Sequence, residues 1–138
     1  MHTEHPNIDI MNAINVFDSA SRAQHFAPDV VWHFFNPLAP GLTGDFHGHS
    51  GLGVFFHHLR ATSNDTFTIR PFGAYAIGDE LVVAPRRNSV STNEETTEFD
   101  VVTVWRFVDG QVVEVWDIPA VHTAWAGPRP QAQEPHAS

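Results

Sequence analysis

The chain has 138 residues, with seven Lys and Arg against sixteen Asp and Glu and a formal charge of −9 with histidine neutral. The absence of cysteine excludes a disulfide framework, a thiolate nucleophile and a Cys-ligated zinc site. The acidic balance, offset by no Lys/Arg cluster, argues against nucleic acid or an anionic membrane as partners, and no stretch approaches the roughly 20 apolar residues of a membrane helix.

The opening MHTEHPNIDI lacks a basic segment followed by an apolar run, so an unexported, cytoplasmic protein is expected. Ile10, Met11, Ile14 and Phe17 recur at helical spacing after Asn7, a candidate N-cap, which predicts a first helix over 7–17. Asp18 or Ser19 then caps a second helix over 20–27, which Pro28 stops. The β-branched and aromatic run 29–35 predicts the first strand. After a Pro/Gly loop, 42–48 reads as a short edge strand, and Ser50 caps a third helix that presents Leu52, Phe55, Phe56 and Leu59 on one stripe. Gly51 and Gly53 each cost that helix about 1 kcal/mol of propensity.

From Thr66 the period changes to two, predicting strands over 66–77, 80–91, 96–108 and 111–119 joined by Gly78-Asp79, a polar tip at 92–94, and Asp109-Gly110. The expected domain spans 1–127. The Pro/Ala/Gln-rich tail 128–138 has too little to bury to fold and is expected to be disordered. In the fifth strand Val101, Thr103, Trp105 and Phe107 share one face, while Val102 and Val104 put apolar groups on the other. In the last, Val113, Val115 and Asp117 alternate with Val112, Glu114, Trp116 and Ile118. Helices can cover one sheet face; a homodimer through the sheet is the expected cover for the other.

The stretch Phe26-Ala27-Pro28-Asp29-Val30-Val31-Trp32-His33, the Leu42-Thr43-Gly44 to Gly48 edge, the Phe55-Phe56 helix and the run Trp105 to Trp116 resemble the SnoaL-like family of the nuclear transport factor 2-like superfamily. The resemblance covers about residues 8–120. It implies a cone-shaped, cystatin-like α+β fold in which three N-terminal helices pack on a curved, mainly antiparallel sheet and enclose an apolar pocket. It specifies fold better than reaction, because relatives include polyketide cyclases, ketosteroid isomerases, limonene-epoxide hydrolases and binders without activity.

Asp117 is the expected acid or base. The register that buries its valine neighbours sets a carboxylate against the pocket wall, where desolvation raises its pKa. Its position also matches the working aspartate of the family's cyclases and epoxide hydrolases. A carboxylate bonded at the pocket mouth is the bland alternative. The positions at which ketosteroid isomerases carry their two acids hold Phe34 and Thr103, so the resemblance does not extend to that mechanism; Thr103 is left as one hydrogen-bond donor or a plain strand former. Arg86-Arg87-Asn88 stands where the epoxide hydrolases carry Arg-x-Asp, with an amide in place of the second carboxylate, and Arg86 and Asn88 are expected to orient Asp117 or a substrate oxygen unless a bulge at Pro85 turns them outward. Solvated arginines on the sheet surface are the other account. Trp32, Phe34, Phe55, Phe56, Phe72, Tyr75 and Trp105 are expected to line the pocket, though core packing explains many of them as well.

Alternation turns His33 away from the face of Trp32 and Phe34, so either it or they line the pocket; the resemblance implies that Trp32 and Phe34 face inward, which leaves His33 a half-buried structural histidine rather than a base. Asp45, His47 and His49 alternate ahead of His57 and His58, but their spacing fits no ligand signature, so a solvated polar edge is expected and no metal or cofactor. Together these features predict a cofactor-independent isomerase, cyclase, dehydratase or hydrolase acting on a hydrophobic cyclic metabolite through Asp117. The competing expectations are a binding module without chemistry, favoured by the missing second carboxylate, and the small subunit of an oxygenase.

Overall fold

The computed structural model describes residues 5–38, 41–63, 65–92 and 95–126. The expected tail 128–138 and the centre of the hairpin tip at 92–94 lie outside the described residues. Three helices, α1 (Pro6–Ala13), α2 (Ser19–His25) and α3 (Gly48–Thr62), accompany eight strands: β1 (Phe26–Phe34), β2 (Gly44–His47), β3 (Thr68–Pro71), β4 (Tyr75–Ile77), β5 (Leu81–Thr92), β6 (Glu95–Val108), β7 (Gln111–Pro119) and β8 (Trp125–Ala126). The strands form one mixed sheet in the order β2-β1-β7-β6-β5-β3, with β4 also on β5 and β8 on β6. Every pairing is antiparallel except β1 with β7, where Trp32 meets Val115 and Phe34 meets Asp117. This is the α+β, nuclear transport factor 2-like architecture that the resemblance implies.

Helix α1 is shorter than its hydrophobic spacing predicts, and it starts one residue earlier. His5 is its N-cap, with Nδ1 accepting from the Asn7 amide at 3.0 Å, and the Asn7 side chain instead donates to the Asp79 carbonyl at 3.0 Å. Ile14 is already extended, so Phe17 reaches the interior from a turn rather than from the helix. Asp18 caps α2 by accepting from the Ala20 amide at 3.1 Å. The strand after it starts at Phe26, three residues earlier than expected. Pro28 is absorbed by a register irregularity against β7 between Phe26 and Val31.

Helix α3 begins at Gly48, two residues before the expected cap at Ser50, with His47 as its N-cap. Its glycines answer a steric need that propensity does not register. Gly48 has φ +69°, and a Cβ at Gly51 would stand 3.1 Å from the Phe46 backbone carbon. That approach lets Leu52, Phe55 and Phe56 bury completely or nearly so beneath the sheet. Around them Trp32 is an aromatic hub, its ring centroid 5.0 Å from Phe56, 5.7 Å from Trp105 and 6.0 Å from Phe55.

The expected strand 66–77 is two strands, because the chain breaks at Phe72-Gly73-Ala74 between β3 and β4. On β7 a bulge corrects the expected face. Arg106 pairs with Glu114 but Phe107 pairs with Val112, leaving Val113 as the extra residue, so Val112 and not Val113 is buried beside Val115. On β6 the inner face is as the alternation predicts: Val101, Thr103, Trp105 and Phe107 are buried, and Val102 is exposed.

On the opposite face His33 ties three strands together. Nδ1 lies 2.7 Å from Asp45 Oδ1 on β2 and Nε2 lies 2.6 Å from Glu114 Oε2 on β7, while the ring stacks on Trp116. Burial pulls the ring's pKa down, but the hydrogen bonds and charges of the two carboxylates outweigh it and leave the pKa raised. A raised pKa stabilises the fold where the ring is charged and loses that contribution as pH climbs through the folded-state value. His33→Gln is therefore expected to lose more stability at pH 6 than at pH 8.5 in chemical denaturation; an equal loss at both would deny the ring a charged role.

Candidate functional site

The concave side of the sheet, closed by α1, the turn after it and α3, surrounds a cavity of about 600 Å³. Its wall is mainly apolar, with Phe17, Trp32, Phe34, Phe56, Phe99 and Trp105 among the lining residues. Asp117 reaches it because β7 lies between β6 and β1. Its neighbours across the ladders are Thr103 and Phe34, and all three point inward. Asp117 keeps some accessible surface, but that surface faces the cavity and the carboxylate itself is enclosed by protein.

Trp32 Nε1 donates to Asp117 Oδ2 at 3.2 Å. Among the described residues it is the only hydrogen-bond donor to the carboxylate. Burial dominates: it raises the pKa from 3.8 to about 7, against the opposing pull of the Trp32 hydrogen bond and the Arg86 charge. Near neutral pH the group thus exists in both forms, the condition under which a carboxyl can both take and return a proton.

Arg86 and Asn88 arrive from β5. The register between β5 and β6 runs unbroken from Leu81–Arg106 to Thr92–Glu95, so Pro85 introduces no bulge. The Phe72 amide donates to the Pro85 carbonyl at 3.2 Å, which places that edge of Pro85 at the break between β3 and β4, where a missing N–H costs no ladder bond. Val82, Ala84, Arg86 and Asn88 consequently alternate inward. Arg87 turns out, pairing with Asp100 at 2.8 Å and lying over the Phe72 ring. Burial lowers the Arg86 pKa from its usual value, and the Asp117 charge works in the opposite sense; a guanidinium so placed keeps its proton.

Thr103 is fully engaged as a donor. Its hydroxyl gives its proton to the Ala84 carbonyl at 3.0 Å and accepts from Trp105 Nε1 at 2.8 Å. It is a structural link between β5 and β6 and has no proton left for a ligand.

Of the aromatic residues expected in the wall, Trp32, Phe34, Phe56 and Trp105 line the cavity and three do not. Phe55 is wholly buried between α3 and the sheet, against Phe34, Phe46 and Phe56. Phe72 falls in the break after β3, and Tyr75 pairs with the outward-facing Val83; both are more than half exposed. Met11, Phe17, Phe67 and Phe99 complete the lining instead. Phe99 was accessible to alternation, lying two residues before Val101 on the inner face of β6. Phe17 and Phe67 sit in irregular segments, outside α1 and just before β3, although periodicity assigns them to the helix 7–17 and the strand 66–77.

Asp45 is committed to His33, and His49 Nε2 lies 3.1 Å from the Phe26 carbonyl at the start of α3, not on the edge strand. His47, His57 and His58 are exposed. Among the described residues no group of three or more potential metal ligands converges.

The model of the SnoaL-like domain matches residues 9–115, most of the described fold. The chain belongs to the SnoaL-like family. Solved structures show the same fold. TerC, co-crystallised with polyporic acid, superposes with a TM-score of 0.74 at 24% identity over 85% of this chain and 93% of that one. A protein of unknown function with a cystatin-like fold from Xanthomonas campestris gives 0.69 at 28% identity, covering 83% and 90%. IdmH from Streptomyces antibioticus, a candidate polyketide cyclase, gives 0.67 at 19% identity, covering 86% and 95%. No curated protein sequence matches the chain.

A SnoaL-like cavity that desolvates Asp117 has a measurable cost. The folded chain holds the Asp117 proton to about pH 7, whereas the unfolded chain releases it near 3.8, so this group's contribution to stability falls as pH rises between those values. Relative to wild type, Asp117→Asn is expected to gain on the order of 2–3 kcal/mol between pH 5 and pH 8 in denaturant titrations. A difference that does not vary with pH would place the carboxylate in solvent.

Proposed function

We propose that the protein is a cofactor-independent enzyme that binds a hydrophobic cyclic metabolite in the cavity and moves a proton with Asp117. The observation that carries this is one carboxylate, enclosed in an apolar chamber, whose burial brings its pKa to about 7. In its ionised form Asp117 would take a proton from a carbon beside a carbonyl, and Arg86 would hold the oxygen on which charge develops. Returning that proton to another carbon gives isomerisation; returning it to a neighbouring hydroxyl as that group leaves gives dehydration with loss of water; attack of the new carbanion on a second carbonyl, whose oxygen takes the proton, closes a ring. The likeness to TerC and IdmH supports a small, largely apolar ligand and is compatible with ring closure.

The test uses the ligand that the protein captures from lysate, identified by native mass spectrometry. Asp117→Asn is expected to bind it but to turn it over at least about 100-fold more slowly. Equal turnover would remove Asp117 as the proton carrier. One observation favours the second reading, a binding module without chemistry: among the described residues lining the cavity Asp117 is the sole carboxylate, so a mechanism needing separate acid and base has no second partner. Unchanged captured ligand after prolonged incubation with wild type would select it.

The outer sheet face supports a homodimer. Val102 and Ile118 pair directly across β6 and β7 and are 44% and 48% exposed, beside the Val104–Trp116 pair. Val102→Glu is expected to halve the mass measured by sedimentation equilibrium while leaving ligand capture intact; a wild-type monomer would refute the interface. Among the described residues no helix is long and apolar enough to cross a membrane, and a cytoplasmic location is part of this proposal.

A further inference from the structure

The two oxygens of Asp117 are not equivalent. Oδ2 accepts from Trp32 Nε1 at 3.2 Å. Oδ1 accepts nothing among the described residues, yet it is not sealed in: the sealed side-chain atoms without a partner are Arg86 Nη1 and Asn88 Oδ1. Asp117 lines the cavity and keeps accessible surface there, so Oδ1 is the oxygen that a molecule in the chamber can reach. Arg86 is the other charged side chain in the described lining, and it acts on the carboxylate through its charge, without a hydrogen bond.

The donor is held as firmly as the acceptor. Trp32 stands two residues before Phe34, the cross-strand partner of Asp117, so its side chain spans the diagonal between β1 and β7. It is 3% exposed, and the rings of Phe26, Phe55, Phe56 and Trp105 pack around it. An indole N–H can only donate. A hydroxyl, an amide or a water in that place could turn and offer an acceptor to the protonated acid; Trp32 cannot. The neutral acid keeps a full bond to Trp32 only while the accepting oxygen remains a carbonyl oxygen, because the O–H oxygen of a carboxyl group is a poor acceptor. We infer that Trp32 is a positioning residue whose indole N–H holds Oδ2 in both states of the acid, so that Oδ1 alone takes and returns the proton. The inference rests on the proposal that Asp117 moves a proton, and it concerns the protein before any ligand binds.

The test removes the N–H and keeps the ring. In the full chain, replacement of Trp32 by β-(3-benzothienyl)alanine through amber suppression puts sulfur where the indole carries N–H. At pH 5 the infrared difference between wild type and Asp117→Asn is expected to show a protonated carboxyl whose C=O stretch lies below that of an unbonded acid, and the Trp32 replacement should raise it. The carbon-13 NMR titration of the Asp117 carboxyl, centred at about pH 7 in wild type, should move to higher pH, a gain of about tenfold or more in proton affinity for one lost hydrogen bond to a charged group. The same replacement of Trp105, whose N–H serves Thr103, should leave both signals in place. An unbonded C=O stretch in wild type puts the proton on Oδ2 and overturns the assignment, and this measurement decides alone if the Trp32 variant does not fold. A stretch or titration unmoved by the Trp32 replacement overturns it equally. If both signals move as expected but Asp117→Asn turns over the captured ligand like wild type, the positioning stands and the catalytic role falls.

Discussion

The parallel pairing of β1 with β7 is the contact on which the rest of the molecule depends. It brings the first strand of the chain against the last long one, and by register alone it sets Trp32 and Phe34 beside Val115 and Asp117. Without that neighbour the carboxylate would have no indole donor, and the aromatic hub would not reach the wall where chemistry is available. Parallel strands require a long connection. Here the connection contains β2, α3 and the strands β3 to β6, so the pairing also closes the chamber.

The site built on this frame is polar at one patch and apolar elsewhere. Asp117, Arg86 and Asn88 come from two strands separated by β6, and the residue between them, Thr103, is used up in holding that strand in place. Chamber and reactive group are therefore made by the same alternation. The strand register that buries Val101 and Trp105 is the one that brings the charged residues inward. Burial gives Asp117 its proton affinity, and Trp32 and Arg86 limit how far that affinity rises.

Much of this was legible in the sequence because long strands with one buried face declare themselves. The inward set of β6 and the inward Asp117 follow from period two, and the outward His33 follows once the family resemblance turns Trp32 and Phe34 inward. What escaped was irregular. Phe72 and Tyr75 look like strand aromatics but stand at a break and on the outer face. Phe17 lines the cavity from a turn. Helix α3 begins earlier than its serine suggests, at Gly48 with φ +69°, and the close approach of Gly51 to the Phe46 backbone is a packing contact that helix propensity does not register. Thr103 could be placed but not interpreted, since its partner is a backbone carbonyl nineteen positions away in the chain.

The bulge at Val113 bears on how such a strand can change over generations. Val112 and Asp117 are five positions apart and both face inward, an odd separation that a regular strand forbids. The strand thus carries two phases, one anchoring the core near the hairpin and one serving the chamber, and a single unpaired residue joins them. Loss or gain of one residue on either side would invert one phase against the other. Substitutions can tune the wall freely, but length in this segment is locked.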